Sequence, residues 1–295
     1  MHIEMREAKL RSSDGTSIHA RAWMPEETER VVVCVQGLGG HGGYYESLAQ
    51  HLAPEGTVVV ALDLRGHGHS GGRRGDIDRF DRYLEDVDAA ISWGQSCWPE
   101  KPLILLGESM GASIAIQYLA RYRVTMDGVL PAIAGLVLVS PVLRPAIRPS
   151  MREVGRYVRS LILAPSRPSI PVTGREELGC RDTDFNDRLR ADPLFVRLVS
   201  VRYLNNLSRW LWQTRRKAGA VQIPLLVLQG KQDYVAHPAG TAAFLRQVPG
   251  KNSRLVTFPE AYHCLLYDPD TPSVLKTLTT WLVKEVTVGA AGAVS

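Results

Sequence analysis

Five short runs carry no polar position at all: VVVCV at 31–35, VVVAL at 58–62, LILL at 103–106, LVLV at 136–139 and LLVL at 225–228. Runs this short, rich in branched aliphatics, are the pattern of strands buried on both faces. Between them the period changes. Phe80, Leu84, Val87 and Ile91 recur at helical spacing over 80–93. Similar stretches predict helices over 44–52, 110–122, 241–246 and 273–286, with one more strand at 255–258. Residues 4–12 and 17–23 flank Asp14-Gly15, a hairpin turn signal, and read as an antiparallel edge. Buried strands alternating with amphipathic helices imply an α/β fold with a mostly parallel, doubly wound sheet.

The alternation breaks between the fourth buried run and residue 225. Charge marks the same break. Residues 144–217 hold 16 Lys and Arg against 7 Asp and Glu, a net of +9, while the remainder of the 295-residue chain nets −4. The organisation expected is therefore a core from 1–143 and 220–288, an inserted helical cap from 144–219, and a Gly/Ala-rich tail at 289–295 that frays. Within the insertion, MREVGRYVRSLIL places Val154, Tyr157, Val158, Leu161 and Ile162 on one helical face and Arg152, Arg156 and Arg159 on the other. Two readings stand. The helix packs its apolar side on the core, or it is an interfacial segment that meets an anionic membrane. Nucleic acid is disfavoured as a partner, because these arginines alternate with aliphatics rather than base-stacking aromatics.

The remaining composition is that of an ordinary globular chain, 45% hydrophobic and 22% charged. No run approaches the roughly 18 apolar residues of a membrane span. Cys34, Cys97, Cys180 and Cys264 show no paired spacing, so neither a disulfide framework nor a metal site is expected, and a reducing cytoplasm is the default.

Candidate chemistry centres on Gly107-Glu108-Ser109-Met110-Gly111, which follows LILL and opens a helix. A G-x-S-x-G turn between strand and helix lifts the serine hydroxyl above the sheet edge, with a helix N-terminus beneath it. A hydroxyl needs a base, and the base an orienting acid. Asp233 and His263 each stand just past a later strand, in the order Ser, Asp, His. The backbone N–H groups of Met110 and of Leu38, in the glycine-rich loop 36–41, are the candidates for stabilising an oxyanion. That loop also matches a dinucleotide fingerprint, Gly37-x-Gly39-x-x-Gly42 with Asp63 21 residues on. The preceding hairpin and the otherwise unexplained Ser109, Asp233 and His263 count against a nucleotide cofactor, and none is expected.

QGLGGHGGYYESLAQHLA, ALDLRGHGHSGGRRG, LLGESMGASIA, LVLQGKQDYVAHP, FPEAYHCLLYD and the inserted ADPL together resemble the α/β-hydrolase superfamily, and within it the monoacylglycerol lipase and lysophospholipase group of serine aminopeptidase-like hydrolases. The resemblance implies Ser109 as nucleophile, Asp233 as acid, His263 as base, Leu38 and Met110 as oxyanion donors, and a small lipid ester as substrate. It also implies a lid that lines an acyl tunnel and touches membrane. The chain departs from the group at Gln36, where His precedes the glycine, which puts the stiffness of the oxyanion loop in question. Asp63 and Arg65-Gly66-His67-Gly68 match as a buried structural turn. Lysophospholipase, short-ester carboxylesterase, cofactor-free peroxidase and ligand-binding receptor remain alternatives at this point.

Overall fold

The computed structural model describes residues 3–122, 133–174, 176–250 and 252–286. The expected tail at 289–295 lies outside them. In chain order the elements are β1 (Glu4–Arg11), β2 (Ser17–Met24), β3 (Arg30–Val35), α1 (Glu46–Leu52), β4 (Thr57–Leu62), α2 (Asp81–Cys97), β5 (Leu103–Glu108), α3 (Met110–Tyr122) and β6 (Ile133–Val139). They continue with α4 (Met151–Leu163), β7 (Ile170–Pro171), α5 (Thr183–Ala191), β8 (Leu198–Val199), α6 (Val201–Thr214), β9 (Leu225–Gly230), α7 (Pro238–Leu245), β10 (Ser253–Phe258) and α8 (Thr271–Trp281).

Eight strands form one sheet in the order β1-β2-β4-β3-β5-β6-β9-β10. The pairs β1–β2 and β2–β4 are antiparallel, and every pairing from β4 to β10 is parallel. The apolar runs divide between two cores because successive strand side chains point to opposite faces. Val31, Val33, Val58, Val60, Leu103 and Leu105 meet α2 and α3 on one face; Val32, Cys34, Val59, Ala61, Ile104 and Leu106 meet α1 and α8 on the other. This is the doubly wound α/β sheet with an N-terminal hairpin that the hydrophobic pattern predicts.

Parallel strands end at a common edge, and the loops after β3, β5, β9 and β10 all open there. The segment between β6 and β9 carries α4, α5, α6 and the short β7–β8 pair. The three helices of that segment each begin at an N-cap with a side-chain acceptor, Ser150, Asp182 and Ser200. Phe185, Leu189 and Phe195 from it reach the sheet edge beside Ser109. Among the described residues, no helix is long and apolar enough to cross a membrane.

Candidate active site

Ser109 sits between β5 and α3 with φ +56°, a left-handed conformation that costs a non-glycine residue on the order of 1–3 kcal/mol. The glycines beside it are required by contact. A Cβ on Gly111 would lie 2.0 Å from the Val35 carbonyl oxygen and 2.6 Å from that of Gln36, and one on Gly107 would lie 2.5 Å from the Gly111 oxygen. Strand, turn and helix therefore approach as closely as backbones allow. The Ser109 N–H donates to the Val139 carbonyl at 2.9 Å, tying the turn to the neighbouring strand.

The structure brings together the three residues that the strand-end pattern singles out. His263 Nε2 lies 2.7 Å from Ser109 Oγ, and His263 Nδ1 lies 2.8 Å from Asp233 Oδ2. Asp233 is held in turn. Its Oδ1 accepts from the N–H groups of Val235 (2.9 Å) and Ala236 (2.7 Å), and its Oδ2 also accepts from Gln229 Nε2 at 2.9 Å. Gln229 is fixed through Thr241, whose hydroxyl donates to Oε1 at 2.8 Å. Burial disfavours the His263 cation, but the Asp233 carboxylate, its hydrogen bond and nearby Glu108 outweigh that, so the imidazole titrates above the ordinary histidine value. A serine hydroxyl facing the free nitrogen of such an imidazole can lose its proton to it.

The loop after β3 folds back over the serine. Leu38 lines the cavity in front of Ser109, and Met110 is the residue directly after it. Neither backbone N–H has a hydrogen-bond partner among the described residues, which leaves both available to a ligand. Gln36 answers the question raised by its departure from the group. It is 2% exposed, and its Nε2 donates to the Gly40 carbonyl at 2.6 Å, so the amide clips the loop across four residues.

A second set of contacts reaches this loop from the segment between β6 and β9. Asp192 Oδ2 accepts from His41 Nε2 at 2.9 Å and from the Tyr44 hydroxyl at 2.5 Å. His41 Nδ1 accepts from the Gly43 N–H at 3.1 Å, which places the imidazole proton on Nε2, toward Asp192. The Val196 N–H donates to the Gly39 carbonyl at 2.9 Å, and the Phe195 ring fills the space where a side chain on Gly39 would stand. Asp192 of the ADPL stretch thus holds the glycine-rich loop through His41 and Tyr44.

The cavity before Ser109 measures about 100 Å³ and is walled by Tyr44, Phe185, Leu189, Phe195 and Tyr267. Phe185 and Tyr267 stack with ring centres 4.2 Å apart. Sequence reading missed this wall. The available signal was small: Phe185 and Leu189 are an i, i+4 apolar pair in the otherwise polar TDFNDRLRA. None of the five α4 residues singled out lies in the cavity. Val154, Val158, Leu161 and Ile162 are exposed, the last 74%, and no residue of α4 is buried. Tyr157 turns instead toward α6, its hydroxyl donating to Asn205 Oδ1 at 2.5 Å.

Asp63, the acidic residue of the dinucleotide-like pattern, has its carboxylate taken up by the protein itself. It is fully buried and accepts from the Gly42 N–H (2.7 Å), Arg21 Nη1 (2.9 Å) and the His69 N–H (2.8 Å), which makes it a pin between loops. Arg65 plays a like part, with Nε and Nη2 on the buried carboxylate of Asp86. Among the described residues, no cluster of His, Cys, Asp or Glu is arranged to hold a metal ion.

Residues 26–270 match the family model described as serine aminopeptidase, S33. The chain is 30% identical to a monoacylglycerol lipase of Mycolicibacterium smegmatis over 92% of its own length and 95% of that protein's. It is 28% identical to a phospholipase of Bacillus subtilis, over 86% and 95%. A soluble variant of the Saccharomyces cerevisiae monoglyceride lipase, solved with a substrate analogue, superposes with a TM-score of 0.82 at 19% identity, covering 96% of both chains. With its sheet order, its strand–serine–helix turn and these matches along nearly its whole length, the chain belongs to the serine aminopeptidase S33 family, in the monoacylglycerol lipase-like group of α/β-hydrolases.

Proposed function

We propose that this serine ester hydrolase cleaves monoacylglycerols or similar single-chain lipid esters through an acyl-enzyme on Ser109. The observation that carries the reading is the continuous hydrogen-bonded chain from Ser109 through His263 to Asp233, opening into a cavity with aromatic and aliphatic walls. His263 Nε2 takes the Ser109 proton as Oγ attacks the ester carbonyl. The N–H groups of Leu38 and Met110 stabilise the oxyanion, and His263 returns the proton to the departing alcohol. Water then repeats the sequence to release the fatty acid. Asp233 holds the imidazole in the tautomer this requires. No nucleotide or metal takes part in this scheme.

Residues 144–219 act as a cap on a core formed by 1–143 and 220–288. The exposed apolar face of α4, with Arg152 and Arg159 also exposed, suits peripheral contact with an anionic membrane. Lysophospholipid is a second reading, favoured by the phospholipase relative.

Fluorophosphonate labelling and substrate profiling test the proposal together. Stoichiometric labelling of Ser109, its loss in Ser109→Ala, and faster turnover of a long-chain monoacylglycerol than of a lysophospholipid or short ester are expected. Labelling at another serine sinks the site; a preference for short esters sinks the lipid substrate.

A further inference from the structure

We infer that Glu108 selects the alcohol half of the ester by charge, so that the site takes neutral or cationic alcohols and turns away those bearing phosphate or carboxylate. The inference rests on the proposed roles of Ser109 and His263. The departing alcohol must receive its proton from His263 Nε2, which faces Ser109 Oγ at 2.7 Å, so the alcohol half lies against the imidazole. Glu108 borders the same cavity, directly before Ser109 in the chain. Its Oε2 accepts from the Tyr45 hydroxyl at 3.0 Å, and Oε1 has no partner among the described residues. Glu108, Ser109 and His263 line one cavity of about 100 Å³, so a group seated against the imidazole also lies close to this carboxyl.

The charged side chains lining or backing the cavity are mostly carboxylates. Among the described residues, no Lys or Arg lines the cavity. Asp233 lies behind His263, and Asp192 behind His41 and Tyr44. Arg197 is felt at Tyr44 but does not line the cavity, and its Nη2 donates to the Arg190 and Asp192 carbonyls. His41 holds its proton toward Asp192. Burial raises the Glu108 carboxyl above the usual range, against the Tyr45 hydrogen bond and His263. The Cys264 thiol and the Tyr45 and Tyr267 hydroxyls stay neutral. Phosphate would enter this pocket with no countercharge, and desolvating an unpaired anion is costly. A quaternary ammonium would meet a carboxylate and the faces of Tyr44 and Tyr267. The contrast with the +9 stretch at 144–217 is sharp.

The test compares three butyrate esters at pH 8: glyceryl monobutyrate, butyrylcholine and 1-butyrylglycerol 3-phosphate. In the wild type, kcat/KM for the choline ester should exceed that for the phosphate ester by tenfold or more. Glu108→Gln should shrink that ratio by tenfold or more, since a charge pair within a cavity of this size is worth upwards of about 1.4 kcal/mol at an effective protein dielectric of about 20. An equal ratio in both proteins overturns the inference. Inhibition of wild-type p-nitrophenyl butyrate hydrolysis by choline and by glycerol 3-phosphate needs no variant. Choline should bind more tightly, and the reverse order also overturns the inference. A missing label on Ser109 or inert long-chain monoacylglycerol would instead defeat the proposed site or substrate, with the short-ester ratio still readable.

Discussion

Replacing Asp233 by Asn should misplace a proton, and the structure says where. Oδ1 faces two backbone N–H groups, of Val235 and Ala236, which can only donate. An asparagine that turned its amide nitrogen there would lose two hydrogen bonds and bury two unpaired donors, at about 1–3 kcal/mol each. The carbonyl oxygen therefore takes that side, and the nitrogen takes the place of Oδ2, opposite His263 Nδ1, at the loss of the single bond from Gln229 Nε2. A donor at that point makes Nδ1 the acceptor and moves the imidazole proton to Nε2. Nε2 then points a proton at Ser109 Oγ and cannot accept one. Loss of the correct tautomer costs on the order of 10⁴ in kcat, about 5.5 kcal/mol of barrier. The pH profile should change as well. Activity needs neutral His263, and burial opposes its cation while Asp233 favours it. In the wild type, activity is thus lost as pH falls through a value above the ordinary ~6.5. In Asp233→Asn burial prevails, and the acidic limb moves to lower pH. The assay is kcat/KM for p-nitrophenyl butyrate from pH 5 to 9. A loss below tenfold, or an acidic limb that stays in place, refutes the reasoning.

Gly111→Ala would drive a methyl against the Val35 and Gln36 carbonyls, and should cost about 3 kcal/mol in urea unfolding; a cost below 1 kcal/mol contradicts the close approach. Arg65→Met leaves the fully buried Asp86 without its guanidinium and should destabilise by about 3–5 kcal/mol, visible as a lower Tm, with an unchanged Tm as the contrary result. Leu161→Asp should slow long-chain ester hydrolysis while sparing p-nitrophenyl butyrate. Arg152→Gln with Arg159→Gln should weaken binding to anionic vesicles by about 1 kcal/mol per charge. Wild-type protein that ignores such vesicles would show the α4 face to be merely solvated.

The strands were legible because five short apolar runs between amphipathic helices have one meaning in an α/β chain, and alternate residues of each indeed feed the two cores. Strand order was not, since no local pattern tells β4 to lie between β2 and β3. Ser109, Asp233 and His263 could be singled out because each follows a buried strand, and strand ends share an edge. The Gln36 clip and the Asp192 contacts were hidden, being side-chain bonds whose partners are a carbonyl four residues on and an imidazole 151 residues away. The α4 stripe was visible as a stripe, but periodicity specifies a face without specifying what meets it. The cavity wall came from α5, whose two apolar residues make too weak a pattern to rank above it.

The bonds from the 192–196 stretch to the loop 36–41 make entry and chemistry mechanically interdependent. Asp192, Phe195 and Val196 brace the loop that carries Leu38, from the same segment whose Phe185 and Leu189 stand in front of the serine. Moving that segment aside to admit a bulky ester would unseat the brace, and seating it again would restore the Leu38 amide to its position. The segment that walls the serine and the loop that carries Leu38 are thus mechanically coupled, so that a displacement of one is a displacement of the other.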